Sequence, residues 1–340
     1  MTILSELQST MAQLTARGKG LLAADESVAT ITKRLQAISV ESNEENRRTY
    51  RDLLLTTPHL NDYVSGVILF EETLHQSTLE GMPFAKALNE RGIVPGIKVD
   101  KGLVLLNSNS TEQVTQGLDG LGERLQKYKA QGARFAKWRA VYSVSHCAPS
   151  KAVNSLNAVS LARYAAICQD NGIVPIVEPE ILIDGDHTIE QCEKATTKAL
   201  HKVFSQLYKQ GVILECIILK PSMVIAGKKC AKQSTVEEVA AATMRVLKRT
   251  VPAAVPSINF LSGGQTPEQA TAHLQAMNAM GHLPWHLSFS YARALQEPCM
   301  DAWRGKVENK KAAQAVLLHR AKLNHLATLG KYNVTSEAHV

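Results

Sequence analysis

The chain has 340 residues, of which 45% are hydrophobic and 20% are charged, a composition typical of globular proteins and long enough for one large domain or two medium ones. Lysine and arginine number 38 against 31 acidic residues, which gives a formal net charge of +7. Because the basic residues are scattered and no nucleic-acid-binding motif is present, this charge favours small anionic ligands and argues against nucleic acid as a partner.

The cysteines and the N-terminus indicate where the protein works. Six cysteines show no CxxC pair and no compact spacing, which is typical of a reduced, cytoplasmic protein. The first twenty residues carry polar and acidic side chains, which favours an amphipathic helix over a signal peptide. No run approaches the roughly 18 apolar residues that a membrane span requires. We therefore expect a cytoplasmic protein without a membrane partner.

Short apolar runs alternate with longer amphipathic segments along the chain. The runs cover residues 20–25, 66–71, 94–100, 135–142, 173–182, 212–223, 257–265 and 286–295. The segments between them carry helix-boundary signals, such as the capping-box spacing from Ser42 to Glu45 and the glycines Gly172, Gly211 and Gly281. Eight strand–helix repeats predict an α/β fold of the (β/α)8 or TIM-barrel type. A doubly wound open sheet is the alternative, but its usual GxGxxG dinucleotide loop is absent.

The predicted barrel accounts for most of the chain. We expect a single domain over residues 1–340, with an additional N-terminal helix, the barrel over roughly residues 18–300, and a C-terminal helix and tail over residues 301–340.

Polar side chains lie at or near the C-terminal end of every predicted strand, where the catalytic groups of such barrels gather. They are Asp25, Glu71, Lys98, Lys137, Glu178, Lys220, Ser262 and Ser290. Three consecutive strands carry two charges at i and i+2, in the pairs Lys98 and Asp100, Lys137 and Arg139, and Glu178 and Glu180. Because such positions share one face of a strand, each pair can point into the barrel mouth. Solvated strand ends would not explain three such pairs, so we predict an active site there.

Lys220 is the candidate nucleophile. It ends the most hydrophobic of the runs, and the neighbouring strands should bring Glu178 and Lys137 beside it. Burial and a nearby positive charge both favour the neutral amine, which is the form that attacks a carbonyl. Glu178 would then shuttle protons between the reacting groups. An iminium formed on a lysine withdraws electrons, so a neighbouring C–C bond can break without a metal.

The histidines do not suggest a metal site. His282 and His286 are four residues apart, but Pro284 lies between them, so a helix would not present both on one face. We therefore expect neither a metal nor a cofactor.

Two groups of residues are suited to phosphate. Ser262, Gly263 and Gly264 follow the seventh strand, where the N–H groups of a glycine-rich turn can hold an anion, and Arg293 follows the eighth. The second group is expected across the mouth and comprises Lys98, Arg139, Ser27 and Arg34. Two phosphate sites on either side of an amine nucleophile predict a bisphosphorylated sugar as the substrate.

Twelve sequence blocks occur in order over almost the whole chain. Among them are LAADES (22–27), GVILFEETL (66–74), GIKVDKG (96–102), FAKWR (135–139), LKP (219–221), FLSGGQ (260–265) and ENKKAAQ (308–314). Together these blocks resemble the class I fructose-bisphosphate aldolases.

The resemblance implies a (β/α)8 lyase, usually a homotetramer without a metal, that reversibly cleaves fructose 1,6-bisphosphate to dihydroxyacetone phosphate and glyceraldehyde 3-phosphate in glycolysis and gluconeogenesis. It implies a Schiff base on Lys220 and acid/base catalysis by Glu178, supported by Asp25, Lys137 and Glu180. The substrate-binding residues it implies near the C1 phosphate are Leu261, Ser262, Gly263, Gly264, Ser290, Tyr291 and Arg293. Those implied for the C6 end are Ser27, Arg34, Lys98 and Arg139.

Four features depart from the family pattern. Ser222 stands where the family usually has Asn, DESVA (25–29) replaces DESTG, and Ala292 replaces a Gly. If the φ angle of Ala292 is positive, that last change costs roughly 1–2 kcal/mol. The chain ends in SEAHV, with its last tyrosine at Tyr332, so the C-terminal tyrosine of the animal enzymes has no counterpart.

Two kinds of alternative remain open. One is a related Schiff-base aldolase or transaldolase that prefers fructose 1-phosphate or sedoheptulose 1,7-bisphosphate. The other is a non-catalytic protein that uses its basic surface to bind acidic partners.

Overall fold

Eight parallel strands close into a barrel in the computed structural model, which describes residues 2–145 and 149–338. The strands are Gly20–Ala24 (β1), Val64–Leu69 (β2), Val94–Lys98 (β3), Phe135–Tyr142 (β4), Val174–Ile181 (β5), Ile218–Leu219 (β6), Ser257–Phe260 (β7) and His286–Tyr291 (β8). Each strand pairs with the next, and β8 pairs with β1. The predicted (β/α)8 fold is confirmed, and the open sheet is excluded because the barrel is closed.

The helices that the structure describes connect these strands and cover the barrel. They are Ile3–Leu14 (α1), Val28–Ala37 (α2), Glu44–Leu55 (α3), Glu71–His75 (α4), Phe84–Glu90 (α5), Leu121–Ala130 (α6), Lys151–Asp170 (α7), Ile189–Lys209 (α8), Val236–Thr250 (α9), Pro267–Asn278 (α10), Arg293–Trp303 (α11) and Lys310–Thr328 (α12). Among those in the described part of the chain, none has both the length and the apolarity needed to cross a membrane. Cys147 lies outside the described residues, and the other five cysteines are free thiols.

Two apolar layers hold the barrel together. Alternate strand residues, such as Leu21 and Ala23 of β1, point inward and pack with Leu7 and Met11 of α1, so that the N-terminal helix closes one end of the barrel. The intervening residues, such as Leu22 of β1, point outward into the larger core under the helices. The inward-facing residues of β1 to β6 in this layer are apolar, whereas β7 and β8 contribute the buried polar residues Ser257, Asn259 and Ser288.

The boundaries of several elements differ from the prediction. The predicted capping box from Ser42 to Glu45 is wrong: Asn43 caps α3 by accepting from the backbone N–H of Asn46 at 2.8 Å, while the Ser42 hydroxyl hydrogen-bonds Thr32. The run at 212–223 forms a 3-10 turn, Leu214–Cys216, before the two-residue strand β6. A small antiparallel hairpin of Leu103–Leu105 and Gln113–Thr115, which was not predicted, follows β3.

Candidate active site

A cavity of about 450 Å³ opens at the C-terminal end of the barrel strands. Fourteen of the sixteen predicted site residues line it: Asp25, Ser27, Arg34, Lys98, Lys137, Arg139, Glu178, Glu180, Lys220, Leu261, Ser262, Gly263, Ser290 and Arg293. The two that do not are Gly264 and Tyr291. The structure therefore brings together residues that are up to 268 positions apart in the sequence, from Asp25 to Arg293.

The inward-facing positions of the strands explain this convergence. Residues 21, 23 and 25 of the first strand share one face, so Asp25 continues the inward row above Leu21 and Ala23. On β5 the same alternation carries the inward row from Val174 through Ile176 to Glu178 and Glu180. Apolar residues thus fill the lower inward positions of these two strands, and charged residues fill their uppermost ones.

Four buried charged side chains lie in a row across the mouth of the barrel, each in contact with the next. The Lys137 Nζ lies 2.7 Å from Asp25 Oδ2 and 3.2 Å from Glu178 Oε2. The other oxygen of Glu178, Oε1, lies 3.3 Å from Lys220 Nζ. The side chains of Lys137, Glu178 and Lys220 are each no more than 5% exposed. The predicted arrangement, with the Glu178 carboxylate between two amines, is therefore the one that the structure has.

Charge pairing determines the ionisation of Asp25 and Lys137. Burial would raise the pKa of Asp25, but the neighbouring Lys137 and Lys220 outweigh it and hold that pKa well below the ordinary value. Burial would likewise lower the pKa of Lys137, but the carboxylates of Asp25 and Glu178 raise it well above the usual lysine range. Asp25 and Lys137 are thus a permanent ion pair at neutral pH, beside the Glu178–Lys220 contact.

Replacing Asp25 with asparagine is expected to destabilise the fold by about 3 kcal/mol at pH 7. This is the low end of the range for a broken buried ion pair, since Glu178 still faces Lys137. The folded-state pKa of Asp25 is depressed, so its stabilising effect is complete above the ordinary pKa of 3.8 and is lost as the pH falls below it. Denaturant unfolding of both proteins should show the difference shrinking from pH 7 to pH 3. A difference that is constant over this range would contradict the assignment.

A second set of charges lines the side of the mouth formed by β3 and β4. The Lys98 Nζ lies 2.6 Å from Asp100 Oδ1, and the Arg139 guanidinium pairs with Glu180. Burial would lower the pKa of Arg139, but Glu180 outweighs it and raises that pKa, so the guanidinium stays charged. Both cations therefore already have carboxylate partners, which a phosphate would share or displace.

The turn after β7 and the start of α11 face Lys98 and Arg139 across the cavity. Ser262 and Gly263 line the cavity, and the Ser290 hydroxyl is buried without a hydrogen-bond partner among the described residues. Arg293 is exposed and has no ion-pair partner in residues 2–145 and 149–338. A free hydroxyl donor and a free guanidinium beside a glycine-rich turn are suited to an anion.

Gly264 and Tyr291 act from outside the cavity. Gly264 has φ of +79°, and a Cβ there would lie 2.2 Å from Ile183 Cδ1, so it shapes the turn without lining it. Tyr291 follows the inward-facing Ser290 and so points outward, where its hydroxyl donates to the Ala270 carbonyl at 3.0 Å. Contact of the Tyr291 side chain with a ligand in the cavity is therefore not supported.

The departures from the family pattern have structural explanations at two positions. Ala292 has φ of −101°, so the strain that a positive φ would bring is absent. The Ser222 hydroxyl accepts from the Ile181 N–H at 2.9 Å and approaches the Ile181 carbonyl at 3.2 Å. Ser222 thus ties the segment after Lys220 to β5, beyond the last backbone pair of the short strand β6.

Glu26, which was not predicted as a site residue, accepts hydrogen bonds from Arg34 and Arg51 at 2.6 Å and from Gln296 at 2.8 Å. Glu26 is 7% exposed, so this network fixes the Arg34 side chain at the rim of the cavity. Its position next to Asp25 was a signal, but its partners come from three helices, α2, α3 and α11. Leu103 of the hairpin also lines the cavity and carried no chemical signal.

Comparison with known proteins places the chain in a family. The model for fructose-bisphosphate aldolase class-I matches residues 6–340. The chain is 53% identical, over 97% of its length and 99% of the relative's, to a probable fructose-bisphosphate aldolase class 1 of Xanthomonas campestris. It is 54% identical to a cytoplasmic isozyme of fructose-bisphosphate aldolase from Cicer arietinum, over 98% of this chain and 93% of the relative.

A solved structure agrees with the sequence matches. The fructose-bisphosphate aldolase of Plasmodium falciparum, crystallised with TRAP and a small-molecule inhibitor, superposes with a TM-score of 0.96 at 50% identity, over 97% of this chain and 96% of that one. A closed barrel, a charged mouth and full-length matches at about half identity lead to one conclusion. The chain belongs to the class I fructose-bisphosphate aldolase family.

Proposed function

We propose that the chain reversibly cleaves fructose 1,6-bisphosphate into dihydroxyacetone phosphate and glyceraldehyde 3-phosphate through a Schiff base on Lys220. The observation that carries this proposal is the buried contact of 3.3 Å between Lys220 Nζ and Glu178 Oε1. An amine nucleophile and a carboxylate at this distance need little movement to exchange a proton.

In the first stage, the neutral amine of Lys220 attacks the C2 carbonyl of the open-chain ketose and forms a carbinolamine. Glu178 donates the proton with which the C2 hydroxyl leaves as water, and the iminium remains on Lys220. Lys137, held by Asp25, keeps a positive charge beside Glu178 throughout. It thereby stabilises the carboxylate that forms when Glu178 gives up its proton.

In the second stage, the C4 hydroxyl loses its proton to a carboxylate, for which Glu178 is placed and Glu180 lies on the same strand. The C3–C4 bond then breaks, its electrons move into the iminium to give an enamine, and glyceraldehyde 3-phosphate leaves. Protonation of the enamine at C3 and hydrolysis of the iminium release dihydroxyacetone phosphate. Every proton taken up is returned, and water is the only other reactant.

The two phosphates are assigned to opposite sides of the mouth. The C1 phosphate is bound by the turn after β7, comprising Ser262, Gly263 and Gly264, with Ser290 and Arg293. The Ser290 hydroxyl and the Arg293 guanidinium, neither of which has a partner within residues 2–145 and 149–338, support this assignment. The C6 end is bound by Lys98, Arg139, Ser27 and Arg34.

Incubation with fructose 1,6-bisphosphate and sodium borohydride in EDTA tests the mechanism. Borohydride reduces an iminium to a stable amine, so peptide mass spectrometry should find a reduced triose-phosphate adduct on Lys220 and activity should be lost. Activity before reduction should need no added metal. Loss of activity in EDTA, or borohydride treatment that leaves Lys220 unmodified, would contradict the Schiff base.

Relative rates of cleavage of the related sugar phosphates would show which substrate is preferred. Cleavage of fructose 1,6-bisphosphate should exceed that of fructose 1-phosphate, because Arg34, Lys98 and Arg139 line the side of the cavity assigned to the second phosphate. The family resemblance supports a homotetramer, and the name of the Cicer arietinum relative supports a cytoplasmic location.

A further inference from the structure

The last described turn of the chain, Val334–Ala338, is anchored beside α10 by a single carboxylate. The Glu337 side chain accepts a hydrogen bond from the Tyr332 hydroxyl at 2.7 Å and forms an ion pair with Arg320 of α12. Burial and Glu337 both raise the pKa of Tyr332, so its hydroxyl stays a donor at neutral pH. Glu337 thus joins the end of the C-terminal segment to the helical layer.

Arg320 transmits this contact to the first turn of α10. Its side chain is 5% exposed, and its second terminal nitrogen donates to the Pro267 carbonyl at 2.8 Å and to the Thr271 hydroxyl at 2.6 Å. Glu337 is its only carboxylate partner among the described residues. Without Glu337, a buried guanidinium would lose its counter-charge and would turn toward another acceptor or toward solvent.

The first turn of α10 directly continues the glycine-rich turn at the cavity. Thr266 caps the helix, and the preceding Gln265 donates its N–H to the Ser262 carbonyl at 3.2 Å. The Gln265 side chain is in turn held by His273 of α10 at 2.6 Å. A shift of this helix end would therefore move Ser262, Gly263 and Gly264 with it.

The turn has little freedom to shift without consequence. Gly264, with φ of +79°, packs so closely against Ile183 that a Cβ atom at position 264 would collide with the Ile183 side chain. A displacement of a few tenths of an ångström would misplace N–H groups that must lie about 3 Å from phosphate oxygens.

The C-terminal segment runs along α10 toward this turn. Gly330 lies near Asn278 at the end of α10, and the Tyr332 N–H donates to Gln275 one turn earlier at 2.8 Å. Glu337 then reaches Arg320 at the level of Pro267, where α10 begins. The segment thus supports the helix over its length and ends next to the phosphate side of the mouth.

We infer that Glu337 is a positioning residue for substrate: through Arg320 it fixes the start of α10 and so the turn that binds the C1 phosphate. The inference rests on the proposed function for its assignment of that turn to the C1 phosphate. It gives a role to the turn Val334–Ala338 that follows Tyr332.

Glu337→Ala in the full chain should raise KM for fructose 1,6-bisphosphate about three- to tenfold and leave kcat within about twofold, because the phosphate is bound equally in the ground and transition states. Glu337→Gln, which retains the acceptor but not the charge, should give a smaller rise. Tyr332→Phe, which leaves the Arg320 pair intact, should give a smaller one still. Thr335→Ala, an exposed change in the same segment, is the matched control and should have no effect.

Product inhibition tests which phosphate is affected. Dihydroxyacetone phosphate carries only the C1 phosphate, so its inhibition should weaken in Glu337→Ala, whereas inhibition by glyceraldehyde 3-phosphate should not change. Equal weakening of both, a fall in kcat at constant KM, or unchanged constants in a folded Glu337→Ala protein would each overturn the inference.

Hydrogen exchange tests the role of Glu337 independently of the proposed function. Mass spectrometry should show faster amide exchange over residues 262–271 in Glu337→Ala than in the Thr335→Ala control, whatever the substrate is. If exchange is faster but borohydride traps no substrate on Lys220, the contact path from Glu337 to the turn is supported and the proposed function is rejected. If borohydride traps substrate on Lys220 but neither exchange nor KM changes, the proposed function is supported and the role of Glu337 is rejected.

Discussion

Replacing Lys220 with methionine is expected to reduce kcat for fructose 1,6-bisphosphate cleavage by more than about 10⁴-fold, since the other two lysines that line the cavity, Lys98 and Lys137, are held in ion pairs with Asp100 and Asp25. Lys137 is the nearest candidate, but its pKa is raised above the usual lysine range by Asp25 and Glu178, so it stays protonated. Coupled assays of triose phosphate release measure the loss, and borohydride should no longer attach a triose phosphate to the chain.

Lys232→Met provides the matched control, because the Lys232 side chain is 86% exposed and lies outside the cavity. It should retain full activity. Thermal unfolding should show Lys220→Met to be folded, because methionine fills a similar volume and Glu178 keeps Lys137 as its ion-pair partner. A Lys220→Met protein that still cleaves the substrate at a tenth of the normal rate would show that the reaction does not pass through this lysine.

Replacing Glu178 with glutamine should lower kcat by about 10²- to 10⁴-fold, the range for loss of a general acid/base. The amide keeps the shape, and its oxygen can still accept from one of the two lysines that contact Glu178, but it can neither donate nor accept the proton in transit. Because water must leave the carbinolamine before an iminium exists, the rate of borohydride trapping should fall together with kcat.

Glu215→Gln, at an exposed carboxylate outside the cavity, is the control for this change and should behave as the parent protein. The rates of borohydride trapping and of substrate cleavage together show at which step Glu178 acts. If trapping proceeds at the parent rate while cleavage is lost, Glu178 acts only on the C4 hydroxyl, and another group dehydrates the carbinolamine. If neither rate changes, Glu178 takes no part in proton transfer.

Local patterns sufficed to predict the chemical centre. The polar residues at strand ends and their spacing of two placed Lys137, Glu178 and Lys220 together, because strand alternation is a short-range property and barrel closure makes neighbours of consecutive strands. The same reasoning also separates Ser290, which faces the cavity, from Tyr291, which faces outward. Tyr291 entered the substrate-binding set only through the family resemblance.

The features that escaped prediction depend on distant contacts or on competition between similar residues. Glu26 was missed because its partners Arg51 and Gln296 lie on two other helices, and Gln296 is 270 residues away in the sequence. The cap of α3 was misplaced by one residue because Ser42 and Asn43 are both good caps, and Ser42 is drawn to Thr32. The strand before Lys220 was overestimated because an apolar run also suits a 3-10 turn that packs in the core.

The shortness of β6 has a consequence for directed evolution. Lys220 follows a strand with only two residues in the sheet, and its backbone is held by its own N–H donated to Val177 at 2.8 Å and by the Ser222 hydroxyl on Ile181. A library at Ser222 would therefore redirect the reactive amine without touching the charged residues around it. Because such variants keep Lys220 and the ion pairs around it, they can explore new carbonyl acceptors on the same barrel.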